Sequence, residues 1–83
     1  MNRIIVDCGK MIEIRIKSGF TQNSLARASD TSSTFISRLE AGKANPRPSN
    51  AVKICKALNV GFDELFSIAG AEPEAAINGN LSA

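Results

Sequence analysis

"TQNSLARASDTSSTFISRLEAGK", Thr21 to Lys43, contains two short helical patterns separated by polar, turn-forming residues. Thr21 is a suitable N-cap for "QNSLARAS", and Phe20 before it can staple onto Leu25. In the second pattern Phe35, Ile36 and Leu39 keep helical spacing, yet five of the seven side chains from Thr31 to Ser37 are hydroxyls. Serine and threonine compete for the backbone inside a helix and favour its start. The cluster therefore reads as a helix beginning, with Ser32 as cap and Gly42 as the left-handed stop. Asp30-Thr31 supplies the break, because Asp tolerates a left-handed backbone. The spacing predicts helices over about 22–29 and 33–41.

On the N-terminal side, Asp7 can cap a helix from about Cys8 to Lys17, with apolar Met11, Ile12, Ile14 and Ile16, ended by Ser18-Gly19. Arg3 to Val6 is rich in β-branched residues and can be extended, but no strand is needed to close the fold. On the C-terminal side, "ANPRPSN" reads as a loop and Pro48 suits the first turn of a fourth helix over about 49–58. That helix would bury Val52, Ile54 or Cys55, and Leu58. Asn59 takes the place of a capping glycine. "GFDELFSI" then forms a fifth helix with Phe62, Leu65 and Phe66 inward. The expected fold class is all-α, a compact bundle of five short helices over residues 1–69, with a disordered small and polar tail over 70–83.

Eighty-three residues suffice for one small core. No apolar run approaches the roughly 20 residues that span a bilayer, and the N-terminus lacks signal-peptide features, so the expected location is cytoplasmic. Cys8 and Cys55 stand in no metal-ligand spacing and the chain has no histidine. Both cysteines are expected to be reduced and buried, and no metal, cofactor or small-molecule ligand is suggested. Without a histidine base or a nucleophile-elbow serine, an enzyme is not expected. Nine of the ten lysines and arginines lie from Lys10 to Lys56 against three acids, whereas Phe62 onward holds four acids and no base. Such a basic middle suits a surface that meets phosphates, although a solvated mixed-charge helical surface has the same composition.

From Thr21 to Phe66 the chain resembles the helix-turn-helix domain of phage repressors and Cro, the lambda repressor-like DNA-binding domains of the XRE family. The resemblance rests on landmarks in register: Thr21-Gln22, Leu25-Ala26, Ile36-Ser37-Arg38, Glu40, Gly42-Lys43, Asn45-Pro46, Lys53-Ile54, Lys56-Ala57-Leu58 and Asp63-Glu64-Leu65-Phe66. It covers roughly residues 10 to 67 and implies double-stranded DNA as partner, with the second helix of the motif entering the major groove. By this resemblance Ser33, Thr34, Ser37 and Arg38 are the base-reading positions, with Arg38 the candidate for a bidentate guanine contact. Gln22, Ser32, Lys43, Asn45 and Arg47 are the implied phosphate contacts. Each also has an ordinary structural role open to it: Gln22 as a first-turn residue, Ser32 as a cap, Arg38 as a surface arginine. Arg15 and Glu40 match a pair the family often uses, implying a partly buried ion pair between first and third helices.

The chain departs from the family at Asp30, where glycine is usual, and at Thr31, often valine, implying a more strained turn and a smaller core contact. Ile12 and Ile16 replace residues that are commonly charged. With Ile5 they are expected to run along a second side of the first helix, covered either by the termini, including Ile77 and Leu81, or by a partner copy in a homodimer. The implied function is a sequence-specific transcriptional regulator, by family habit a repressor, binding a short palindrome as a dimer. An antitoxin-like or partner-binding adaptor using the same fold is the alternative.

Overall fold

A computed structural model of the chain describes residues 3–70, in the order β1 (Arg3–Val6), α1 (Cys8–Lys17), α2 (Gln22–Ala28), α3 (Ser33–Glu40), α4 (Pro48–Leu58), α5 (Phe62–Leu65) and β2 (Phe66–Ala69). The expected tail, with Ile77 and Leu81, lies outside the described residues except for Gly70.

The first three helices start where a side chain satisfies their free N–H groups, and α4 starts on Pro48, which has no N–H to satisfy. Asp7 accepts from the Lys10 amide, Thr21 and Ser24 exchange bonds in a capping box, and Ser32 accepts from Phe35 N–H at 3.1 Å. Four helices end by one device. Gly19, Asp30, Gly42 and Asn59 adopt positive φ, and the N–H after each returns to a carbonyl five residues back, as in Thr31 to Ala26 and Lys43 to Arg38. Asp30 does this without glycine's freedom, at φ 57°. Its exposed contact with Lys53, at 3.5 Å, offsets little. Asp30→Gly is therefore expected to stabilise the domain by about 0.5–1 kcal/mol, the relieved strain less the added unfolded-state entropy. A higher urea midpoint at unchanged m would show it.

The all-α expectation holds for the bulk of the molecule and needs one correction. Arg3–Val6 pairs antiparallel with Phe66–Ala69, in the register Ile4 to Ile68 and Val6 to Phe66. The fifth helix accordingly stops at Leu65, and "FSIA" leaves it as a strand. β-Branched "RIIV" buries Ile4 and Val6, which takes its backbone out of water, and the chain after α5 supplies the partner strand. Asp7 N–H also donates to Leu65 C=O at 2.7 Å, so the sheet continues directly into the core.

Met11, Leu25, Ile36, Leu39, Ile54 and Leu65 are fully buried, with Ile4, Val6, Ala26, Ala51, Cys55, Leu58 and Phe66 around them. The Phe62 and Phe66 rings pack with centroids 5.3 Å apart. Val52, expected inside, is exposed, because Ala51, Ile54, Cys55 and Leu58 already form the inward face of α4. Both cysteines are free: Cys55 is buried, Cys8 only partly, its Sγ donating to the Leu39 carbonyl at 3.4 Å. Burial, and secondarily the Glu64 carboxylate, push the Cys55 thiol above its ordinary pKa, so it is a neutral thiol at pH 7. The turn between α2 and α3 is closed by hydroxyls. Buried Ser29 donates to Leu25 C=O at 2.8 Å and shares a 2.9 Å bond with Thr31, so Thr31 contributes a polar contact where an apolar one was the family's habit. Among the described residues, no helix is long and apolar enough to cross a membrane.

Candidate nucleic-acid interface

The Arg15, Gln22 and Glu40 side chains join three helices at one point. Arg15 Nε lies 2.5 Å from Glu40 Oε2, and its Nη2 donates to Oε1 at 3.1 Å, a bidentate pair. Gln22 Nε2 donates to the same Oε1 at 3.0 Å, and Arg15 Nη1 donates to Phe20 C=O at 3.0 Å. Glu40 is 9% exposed, so its charge is met by protein donors more than by water. The carboxylate on α3 thereby sets that helix against both α1 and α2.

Beside this cluster, a concave surface of about 500 Å³ runs between α2 and α3, lined by Arg15, Phe20, Thr21, Gln22, Asn23, Ser33, Thr34, Ser37 and Arg38. Its floor is short because α3 begins with hydroxyl residues. Thr34 and Arg38, one helical turn apart, share a face and are exposed, as is Ser37, while Ser33 is half-buried. Gln22 stands at the N-terminus of α2 on the same surface, but its amide nitrogen is engaged by Glu40. Asn23, which sequence reading passed over, is exposed on the same wall. Its signal was available as a second amide next to Gln22 in the first turn of a helix.

The other candidates lie apart from this cleft. The Ser32 hydroxyl is committed to capping α3. Lys43 is exposed just past Gly42, whose left-handed φ of 74° turns the chain out of α3; a side chain there would be strained. Asn45 and Arg47 line a second groove, of about 570 Å³, with Ile4, Pro46, Val52, Phe62 and Ile68. Asn45 Nδ2 donates to the Ile4 carbonyl at 2.9 Å. Ile5 belongs to β1, not to the first helix, so the expected stripe of Ile5, Ile12 and Ile16 is interrupted. Ile5 and Ile12 are half-buried, whereas Ile16 is 60% exposed.

Comparison with known proteins places this geometry. The sequence matches the helix-turn-helix family over residues 11–65. Among solved structures, it is similar to the restriction-modification controller protein C.AhdI from Aeromonas hydrophila, at 26% identity and a TM-score of 0.66, over 69% of this chain and 86% of that one. The clp gene regulator ClgR from Corynebacterium glutamicum is similar at 26% identity and a TM-score of 0.64, over 69% of this chain and 61% of that one. No curated protein matches by sequence.

Proposed function

The chain belongs to the XRE-type helix-turn-helix family, and on that basis we propose that it is a transcriptional regulator that reads double-stranded DNA through α3. The observation that carries this is the cleft between α2 and α3, where short hydroxyl side chains at the start of the second helix of the motif and an exposed arginine one turn further along line the same surface. Solved structures similar to this chain include a controller protein and a gene regulator, which supports a regulatory role over an enzymatic one.

Within that reading Arg38 is the main reader. Its guanidinium can bond guanine O6 and N7 together, whereas the hydroxyls of Ser33, Thr34 and Ser37 both donate and accept and so discriminate less. Gln22 and Lys43 flank the groove as phosphate contacts, with Ser32 and Arg47 as further backbone contacts. An eight-residue recognition helix covers too few base pairs for high selectivity, so the domain acts as a homodimer on two half-sites about one helical turn apart. Exposed Ile16 and Ile68 mark apolar surface available to the partner copy. Occupying a promoter in this way represses it.

Selection of bound sequences from random duplex DNA tests the proposal. Wild-type protein is expected to enrich a short two-fold motif. Arg38→Ala should lose about 1–3 kcal/mol of discrimination at one position per half-site while keeping non-specific binding. No enrichment by the wild type would remove the regulator reading and leave the adaptor.

A further inference from the structure

We infer that Asn45 is a positioning residue: its side chain fastens the loop after α3 to strand β1 and thereby aims Lys43 and Arg47. This rests on the DNA-binding reading above. The loop between Gly42 and Pro48 has little else to hold it. Among the described residues, the N–H groups of Ala44 and Asn45 donate to no backbone acceptor, and Pro46 and Pro48 have none to give. Buried Pro46 anchors the middle of the loop but supplies no directional bond. The bond from Asn45 Nδ2 to the Ile4 carbonyl, 2.9 Å long and spanning 41 residues, fixes the direction.

Its acceptor is a firm one. Ile4 and Val6 are buried, β1 is paired along its length with β2, and Asp7 N–H continues the attachment to Leu65 C=O. Asn45 faces the groove beside the sheet, and the cleft between α2 and α3 does not include it. A side chain turned to the sheet and bonded to a backbone carbonyl acts on DNA through its exposed cationic neighbours, Lys43 and Arg47. The sheet formed by β1 and β2 and the loop beyond the recognition helix are thus one mechanical unit.

Charge separates this role from a direct phosphate contact. A neutral amide that touches phosphate itself releases no counterions when it is removed, so the salt dependence of binding would not change. A residue that aims two cations changes it. In the full chain, the affinity for duplex DNA is measured across a salt series for wild type, Asn45→Ala, the Lys43→Ala Arg47→Ala pair, and the triple variant, with thermal melts confirming the fold. Asn45→Ala is expected to weaken binding several-fold and to flatten the log–log salt slope by up to about 0.9 for each cation displaced. In the triple variant its effect should vanish. If Asn45→Ala melts below the assay temperature, Asn45→Ser carries the same comparison. A wild-type slope retained by the Asn45 variant, or its full loss added again in the triple variant, overturns the inference while leaving the DNA-binding reading in place. A wild type whose binding is absent or insensitive to salt overturns both.

Discussion

Replacing Glu40 with alanine is expected to cost the folded domain roughly 3 to 5 kcal/mol, because removal of one partner leaves a desolvated charge without compensation. The Arg15 side chain is only 13% exposed, so its guanidinium has little water to turn to. Gln22 loses an acceptor at the same time. Since a small domain is stabilised by only about 5 to 15 kcal/mol in total, the variant should melt on the order of 20 °C lower. Glu40→Gln should be milder, as its amide oxygen, in the place of Oε1, still accepts from Arg15 Nη2 and Gln22 Nε2. Arg15→Met combined with Glu40→Leu should recover most of the loss, since buried pairs are often replaceable by apolar residues of similar volume. That double variant is the informative one for function: if it is stable yet binds DNA poorly, the pair serves to orient α3. Urea denaturation gives the energies, and a cost below about 1 kcal/mol for Glu40→Ala would show that the cluster does not hold the helices.

Raising salt should produce the largest change in DNA affinity. With Lys43 and Arg47 on each of two half-sites, four cations meet phosphates, and the log–log slope should be about −3.6. Between 50 and 200 mM salt that is a loss of roughly 150-fold, whereas a single bound domain with two such cations would lose only about twelvefold. One titration therefore reads both the electrostatic nature of binding and the number of domains on the DNA. An adaptor that meets its partner through exposed apolar residues such as Ile16 and Ile68 would change little over the same range.

Much of the molecule was legible from local chemistry. Caps at Asp7, Thr21 and Ser32, and left-handed stops at Gly19, Asp30, Gly42 and Asn59, act within a few residues of themselves, so the sequence alone locates the first four helices to within about one or two residues, whereas the fifth was expected to run through "FSI". The family match, over residues 11–65, follows from the same local landmarks. The shared, exposed face of Thr34 and Arg38 was legible for the same reason, through helix geometry alone.

Apart from the Arg15–Glu40 pair, which the family resemblance implied, what the sequence could not supply were contacts between distant residues. Arg3–Val6 shows β character, but its partner is more than sixty residues away, and "FSIA" continues a helical pattern until pairing draws it out. Asn45 looked like one more polar loop residue suited to phosphate; its bond to Ile4 exists only because β1, paired with β2, lies beside the loop. Val52 and Ile5 have the apolar character of core residues, and which apolar residue is covered depends on what packs against it. By itself, then, the sequence determined where helices start and stop and which side chains share a helix face, because caps, turns and helical spacing are short-range. The terminal sheet, the tie between its first strand and the loop, and the exposed apolar positions were decided only by the tertiary structure, because backbone pairing and burial depend on neighbours far along the chain.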